Sequence, residues 1–385
     1  MKENKYLLID DLAAKGWKSA LELSVIKDSG ILEVALTYDE AIEKLKSEWS
    51  VVFLDMRLTE IDHKLNDFTE LSGYRILQSI KSDFRNVNFA TPVILFTASN
   101  KIWNIDLFNQ YSIEGYYIKE HPNHFISKEQ SRNNLEYLQA LFTNSLVCDK
   151  SRKNIWNLCV KVIDQLEKHL YFKGQNPRDV NIKKRINDKI KLGYAELFKR
   201  TNKLEKEMLL NYNEAMSFIV FWSILEEISK GFVDFNETFV ENRTGKYERK
   251  GNWKYRNKEY FIERGLYKVT VNVEFKGKVP HKKHVTYLEE KENIEYKKYT
   301  ESIINLSSQI FSLIAAYSRD EVQFKDVALR FQNINDYRNK VDFIHSDLVN
   351  IFKMDLYNEK YVAKAFSKNV EILELINEIL SFPIK

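Results

Sequence analysis

The sequence predicts a multidomain protein with a doubly wound α/β fold in its N-terminal part and an all-α bundle with a small β insertion in its C-terminal part. Three observations lead to this fold class. Short apolar runs alternate with helix-length stretches over about the first 120 of the 385 residues, which is typical of a parallel sheet covered on both faces. Helical periodicity dominates from about Asn154 onward. One segment inside that half alternates apolar and polar residues, as hairpin strands do.

Four of the five apolar runs in the N-terminal part end at polar residues that could take part in chemistry. The runs are Tyr6–Ile9, which ends at Asp10 and Asp11, Ile31–Ala35, Val51–Leu54, which ends at Asp55, Pro92–Phe96, which ends at Thr97, and Gly115–Ile118, which ends at Lys119. Because open α/β sheets bring the carboxyl ends of parallel strands to one edge, we expect these polar residues to meet there.

This set of residues has the chemistry of an aspartyl-phosphate site. A carboxylate such as Asp55 attacks a phosphoryl group readily only when the negative charges around it are neutralised. Mg²⁺ can do this, and it prefers oxygen ligands. The expected ligands are the carboxylates of Asp11 and Asp55, the backbone carbonyl of Arg57, and Asp10 through a water molecule. We expect Thr97 and Lys119 to contact the phosphoryl oxygens.

The same segment resembles the receiver domains of response regulators. The matching motifs are Leu8-Ile9-Asp10-Asp11, Phe53-Leu54-Asp55, Leu95-Phe96-Thr97-Ala98 and Gly115-Tyr116-Tyr117-Ile118-Lys119. The resemblance implies a flavodoxin-like receiver domain over residues 1–125 that a sensor histidine kinase or a phosphotransfer protein phosphorylates on Asp55. It also implies that Tyr116 is the aromatic residue that swings inward afterwards. The alternative is a degenerate receiver that keeps the fold and lacks the phosphorylation.

The loop after Asp55 departs from that family. It runs over Arg57–Leu71 and is about ten residues longer than the family norm, judged against ordinary loop lengths. It contains the polar residues Asp62, His63, Lys64 and Asp67. We expect this loop to affect phosphorylation kinetics and the choice of partner, although none of the chemical residues is missing.

The patterns after the receiver segment predict a helical connector over residues 126–212 and a helical domain over residues 213–385. The helical domain contains a second candidate site. Its buried stripe is predicted from residues at spacings of three and four, namely Ile334, Tyr337, Val341, Ile344, Leu348 and Ile351. Arg338 and His345 lie along one flank of that stripe, and Asn339 follows the arginine. Here His345 could act as a general acid or base and Arg338 could bind a phosphate, which is enough to cut RNA without a metal.

This Arg338-Asn339 to His345 pattern resembles the HEPN superfamily of helical domains, whose ribonuclease members carry an arginine, a polar residue and then a histidine. The resemblance implies an RNA substrate and a homodimer, formed through the helical half, in which two motifs make one composite site. Glu226 and Glu227 would lie near that site by analogy. The alternative is that these residues belong to the surface and interface of a helical dimer without activity.

The expected β-hairpin insertion, residues 234–292, mixes lysine and arginine with tryptophan and tyrosine. Such a mixture suits a surface for single-stranded nucleic acid, because cations bind phosphates and rings stack on bases. It equally suits a hairpin arm with half-buried aromatic residues. Residues 1–148 hold 16 basic and 21 acidic residues, against 43 and 34 in the rest. A basic second half favours a polyanionic partner, although a solvated lysine-rich surface is the simpler explanation.

The remaining composition points to a cytoplasmic protein. The two cysteines, Cys148 and Cys159, make no disulfide framework. No apolar run has the roughly eighteen residues that a membrane helix needs, and the charged N-terminus does not suggest a signal peptide.

Together these patterns predict a response regulator whose phosphorylation on Asp55 controls a HEPN-type RNA-cleaving output domain, with a stress or phage-defence role implied by resemblance. The alternative is a switched module without enzymatic activity, in which the helical half mediates dimerisation and binds a protein or a nucleic acid.

Overall fold

The structure is a computed structural model in which the chain forms two compact units. The first contains residues 1–160 and 198–200, and the second contains residues 161–197 and 201–385. The described residues are 3–65, 67–97, 111, 113–119, 128–168, 177–198, 203–232, 234–241, 247–255, 258–265, 268–271, 288–289, 310, 314, 321–340 and 365–381. Within these ranges, the side chains of residues 97, 128, 177–179, 203–212, 229–289, 321–322, 324–325, 339–340 and 365 are not described.

A parallel five-stranded sheet forms the centre of the first unit. Its strands are β1 (Asn4–Ile9), β2 (Gly30–Ala35), β3 (Val51–Leu54), β4 (Val93–Thr97) and β5 (Gly115–Ile118). Their order across the sheet is β2-β1-β3-β4-β5, and every neighbouring pair is parallel. This is the order of the flavodoxin-like doubly wound folds. The predicted α/β architecture of the N-terminal part is therefore confirmed.

Both faces of this sheet are covered. The described helices of the first unit are α1 (Trp17–Leu21), α2 (Tyr38–Lys44), α3 (Ser72–Lys81) and α4 (Lys128–Lys168). Leu7 and Ile9 of β1 lie in a buried cluster with residues of α2 and α3, whereas Tyr6 and Leu8 lie in a second cluster with residues of α1 and α4. This alternation follows from the two-residue period of a strand, and it explains why the strands are apolar throughout.

Side chains of α4 also bind the amino edge of the sheet, opposite to the edge where the strands end. Arg152 forms a buried ion pair with Glu114, which directly precedes β5. The Lys153 ammonium donates to the Trp49 carbonyl just before β3, at 2.8 Å. These contacts hold the later part of α4 against the first unit, and the helix continues without a break past the residue at which the two units divide.

Beside these contacts lies a buried lysine at the end of α3. The Lys81 side chain donates to the carbonyl oxygens of Phe89, at 2.6 Å, and Thr91, at 2.7 Å. Burial, together with the positive charge of Arg152, lowers the pKa of Lys81 to about 7. The neutral amine can keep both hydrogen bonds, so the fold favours the deprotonated form.

The second unit contains four described helices, namely α5 (Pro177–Leu197), α6 (Lys203–Phe232), α7 (Glu321–Lys340) and α8 (Ala365–Ser381). The other three helices pack against α6. At the contact of α5 with α6, a Cβ atom on Gly193 would lie 2.4 Å from the Phe221 ring, so only glycine allows this approach. The Trp222 ring of α6 stacks on Phe331 of α7, with their centres 5.6 Å apart.

The insertion contains a second sheet, whose strands are β6 (Asp234–Glu241), β7 (Tyr247–Tyr255), β8 (Lys258–Gly265), β9 (Lys268–Val271) and β10 (Leu288–Glu289). Consecutive strands pair in antiparallel fashion, in the order β10-β9-β8-β7-β6. In the part of the chain that the structure describes, every helix is too short or too polar to cross a bilayer.

The low pKa of Lys81 predicts that the free energy of unfolding of the first unit depends on pH. The unfolded chain keeps Lys81 protonated up to about pH 10.4, so folding releases a proton between about pH 7 and that pH. The free energy of unfolding of the first unit therefore rises with pH in this window, by about 2 kcal/mol between about pH 7 and 9. Below about pH 7 the lysine is protonated in both states, and this contribution stays constant.

Melting temperatures of wild type and Lys81→Met at about pH 6, 7, 8 and 9 check this expectation. The wild type should gain stability relative to the variant only above about pH 7. An equal pH dependence in the two proteins would contradict the depressed pKa.

Candidate functional site

A buried lysine and two buried carboxylates meet at the carboxyl edge of the parallel sheet. Asp10 follows β1, Asp55 follows β3 and Lys119 follows β5. The Lys119 ammonium donates to Asp10 Oδ2 at 2.7 Å, and it also donates to Asp55 Oδ2. The exposed fractions are 4 % for Lys119, 0 % for Asp10 and 5 % for Asp55. The structure thus brings together three of the residues that the sequence predicted to meet here.

Asp11 completes a group of carboxylates that could hold a metal ion. One oxygen from each of Asp10, Asp11 and Asp55 lies within 4.8 Å of the other two. Hard divalent cations such as Mg²⁺ prefer this donor set. Asp10 Oδ1 accepts from the Leu12 amide at 2.9 Å, and Asp55 Oδ1 accepts from the Arg57 amide at 3.2 Å. Each carboxylate oxygen has a further lone pair, so these contacts still allow the group to fit Mg²⁺.

Burial and Lys119 act in opposite directions on the pKa of the Asp55 carboxyl. Burial raises the pKa of the Asp55 carboxyl, while the charge and the hydrogen bond of Lys119 lower it. The rings of Trp17 and Phe96 lie near the Lys119 ammonium, with their centres at 6.0 and 5.2 Å. Their negative π faces favour a cation at this position. Trp17, on α1, was not among the predicted site residues, because nothing in its sequence context distinguishes it from a core tryptophan.

The long loop after Asp55 is ordered around one aspartate that the sequence did not identify as important. Asp62 is 1 % exposed. One of its oxygens accepts from the amides of Leu58, at 2.8 Å, and Thr59, at 3.0 Å, and the other accepts from the amide and the hydroxyl of Ser72, both at 3.1 Å. Burial by itself would raise the pKa of Asp62, but these donors outweigh it and hold that pKa below its usual value.

The other predicted residues of the first unit are placed as follows. Thr97 is the last residue of β4, and only its backbone is described. Tyr116, on β5, is 37 % exposed, whereas its neighbour Tyr117 is buried. Arg57 is half-buried, and its amide binds Asp55.

In the second unit, the structure describes only part of the predicted Arg338, Asn339 and His345 site. Ile334 and Tyr337 of α7 are buried, in agreement with the predicted stripe. Arg338 is half-buried, with its guanidinium carbon 5.9 Å from the centre of the Trp222 ring. Asn339 lies on α7 with only its backbone described, and His345 lies outside the described residues.

Glu227, predicted by analogy to lie near that site, binds cations of α5. Its carboxylate accepts from Arg185 and from Lys189, both at 2.9 Å. Burial opposes ionisation of Glu227, but these two cations lower its pKa overall.

The strand register of the insertion bears on its two proposed roles. It places Lys250 opposite Glu263, Lys254 opposite Glu259, and Lys268 opposite Glu289. Opposite charges directly across a strand pair stabilise the pairing. The aromatic residues Phe235, Trp253 and Tyr260 pair across three strands on the other face. Arg249, Lys258 and Arg264 lie on that same face in the register, so rings and cations occur together there and both roles of the insertion stay open.

The buried ion pairs of Lys119 can be tested by substitution. Lys119→Met leaves Asp10 and Asp55 buried without their cation, and we expect the first unit to lose about 3–5 kcal/mol of stability near pH 7. The loss should shrink as the pH falls and one carboxylate takes up a proton.

Lys44→Met is the matched control, because Lys44 binds Glu33 at 2.6 Å with both side chains about one third exposed. We expect less than about 1 kcal/mol there. Thermal unfolding of both variants gives the comparison, and equal losses would contradict the buried arrangement.

No known protein family and no curated protein matches this sequence. The chain is similar to solved structures of response regulators. They include the phosphorylated cyanobacterial phytochrome response regulator RcpA, at 17 % identity over 36 % of this chain and 91 % of that one, with a TM-score of 0.27. A CheY-like receiver domain protein from Methanospirillum hungatei has 17 % identity over 37 % and 97 %, with a TM-score of 0.27. The bacteriophytochrome response regulator AtBRR has 19 % identity over 36 % and 94 %, with a TM-score of 0.26.

Proposed function

We propose that the first unit is the receiver domain of a two-component response regulator and that Asp55 accepts a phosphoryl group from a sensor histidine kinase or a phosphotransfer protein. The observation that carries the proposal is the contact of the buried Lys119 ammonium with Asp10 and Asp55, next to Asp11. A positive charge fixed in a poorly solvated site stabilises the negative charge of an arriving phosphoryl group. Covalent attack by a carboxylate needs such neutralisation.

The proposed transfer is a displacement at phosphorus. An Asp55 oxygen forms a bond to the phosphorus of a phosphohistidine, while the bond from that phosphorus to the donor nitrogen breaks. The leaving imidazole keeps the electron pair and takes up a proton from water. Asp10, Asp11, Asp55 and the Arg57 carbonyl would hold Mg²⁺, which neutralises phosphoryl charge when bound.

Lys119 has a specific role in this step. Before transfer it donates to the carboxylate oxygens of Asp55 and Asp10. Once an Asp55 oxygen carries the phosphoryl group as an acyl phosphate, the carboxylate charge is gone and the negative charge lies on the phosphoryl oxygens. The Lys119 ammonium would then donate to a phosphoryl oxygen while it stays hydrogen-bonded to Asp10. Thr97 would contact another phosphoryl oxygen, and Tyr116, half exposed on β5, would be the residue that changes position.

Uptake of phosphoryl groups from acetyl phosphate tests this proposal. Wild type with Mg²⁺ should become labelled on a bond that is labile to alkali, and Asp55→Asn should take up less than about one hundredth as much, since it lacks the carboxylate that attacks the phosphorus. Asp39→Asn, an exposed carboxylate on α2, should leave labelling unchanged. Equal labelling of wild type and Asp55→Asn would refute the assignment.

We further propose that phosphorylation controls an output in the second unit, and that this output is RNA cleavage at Arg338, Asn339 and His345 in a homodimer, as the HEPN resemblance implies. Two observations support the proposal. The helix α4 runs from the first unit into the second without interruption. Arg338 is only half-buried on the flank of the stripe that contains Ile334 and Tyr337. The alternative is switched binding of a protein or nucleic acid without cleavage.

RNA degradation assays separate these two outputs. Total RNA would be incubated with wild type, Arg338→Ala and His345→Ala, each with and without acetyl phosphate and Mg²⁺. His345→Ala should lose at least about a hundredfold in rate, the usual contribution of a general acid or base. Arg338→Ala should lose a similar factor, because it no longer stabilises the charge of the phosphate. Arg330→Ala is the control on the same helix, because Arg330 binds Asp326 and Glu378. RNA left intact by wild type in every state would favour the binding alternative.

A further inference from the structure

The loop that follows the phosphoacceptor residue closes on itself through one carboxylate. The loop is Arg57–Leu71, of which Asn66 lies outside the described residues, and the Asp62 carboxylate lies inside it. One oxygen of Asp62 binds the amides of Leu58 and Thr59 at the start of the loop, and the other binds the amide and hydroxyl of Ser72 just past its end. A single side chain therefore fixes both ends of the loop.

Both of these ends touch the backbone of the proposed cation site. Leu58 directly follows Arg57, whose amide donates to Asp55 and whose carbonyl is the proposed metal ligand. Gly73, next to Ser72, donates to the Met56 carbonyl at 3.1 Å. A Cβ atom on Gly73 would lie 2.2 Å from the Asp55 carbonyl oxygen, so α3 starts in direct contact with the phosphoacceptor backbone.

The loop also packs against the buried core of the first unit, so a shift of its ends would disturb that packing. Met56, Leu58 and Leu71 belong to the buried cluster on the α2 and α3 face of the sheet, and Leu65 and Phe68 pack against it. Replacing the acceptors of Asp62 would leave several buried donors without partners, and this cost is large enough to move a backbone.

We propose that Asp62 is a positioning residue for the phosphoacceptor edge, which sets the affinity of the Asp10, Asp11 and Asp55 group for a divalent cation by fixing the backbone from Asp55 to Leu58. This inference rests on the proposed function, because it assumes that the group binds Mg²⁺. Asp62 itself is not a ligand, since the described contacts of its carboxylate are to the amides of Leu58 and Thr59 and to the amide and hydroxyl of Ser72. It acts through the orientation of the Asp55 carboxylate and the Arg57 carbonyl.

Mg²⁺ titration by calorimetry of the full chain tests the inference without any phosphorylation. Asp62→Asn keeps the shape but offers one acceptor oxygen and places an amino group against amide donors. We expect the dissociation constant for Mg²⁺ to rise by about tenfold, as for other residues that orient metal ligands. Asp67→Asn is the matched control in the same loop, because exposed Asp67 binds only the amide and hydroxyl of Thr69. It should bind Mg²⁺ as wild type does.

Two further measurements separate positioning from general unfolding. At saturating Mg²⁺, the labelling rate of Asp62→Asn with acetyl phosphate should return toward the wild-type rate, which a merely unfolded variant would not do. Ser72→Ala, which removes only one of the four hydrogen bonds, should weaken Mg²⁺ binding less than Asp62→Asn does. Wild-type affinity in Asp62→Asn, or a labelling defect that excess Mg²⁺ does not relieve, would overturn the inference and leave the proposed function standing. A wild type that binds no Mg²⁺ would overturn both.

Discussion

The structure of the first unit depends on a lysine ammonium buried between two carboxylates. Taking one of these three charges out of water alone would cost several kcal/mol, so each is acceptable only with its partners in place. Asp10, Asp55 and Lys119 follow three different parallel strands, and their contacts exist only if β1, β3 and β5 end at the same edge and in the observed register. The same arrangement underlies the proposed phosphoryl transfer, because a cation held in a poorly solvated site stabilises the negative charge of an arriving phosphoryl group.

Polar contacts at the opposite edge serve a different purpose. There Arg152 and Lys153 of α4 bind groups that precede β5 and β3, next to the buried Lys81. These contacts hold α4 against the first unit, and α4 continues beyond that unit. A chemical change at Asp55 that alters the packing of the strands would therefore act on α4 as well as on the carboxyl edge, which is the physical basis for the proposed control of the second unit.

The strands and the charged group at their ends were predictable, because apolar runs ending in Asp10, Asp55 and Lys119 leave few other arrangements. The role of Asp62 was not, since an aspartate in a polar loop gives no sign that it will be buried by its own loop. The composition of the insertion left two roles open, and the strand register leaves them open as well, because it places Arg249 and Lys258 on the same face as the aromatic residues. For the Arg338 to His345 motif, the sequence predicted the burial of Ile334 and Tyr337 correctly, while the catalytic role stays a prediction.

The central claim is that Asp55 carries the phosphoryl group, and reductive trapping tests it most directly. Protein treated with acetyl phosphate and Mg²⁺ would be reduced with borohydride, which converts an aspartyl phosphate to homoserine, and its peptides would be sequenced by mass spectrometry. The account predicts homoserine at position 55, dependent on Mg²⁺ and much reduced in Lys119→Met. Homoserine at Asp10, Asp11 or another carboxylate, with position 55 unchanged, would contradict it.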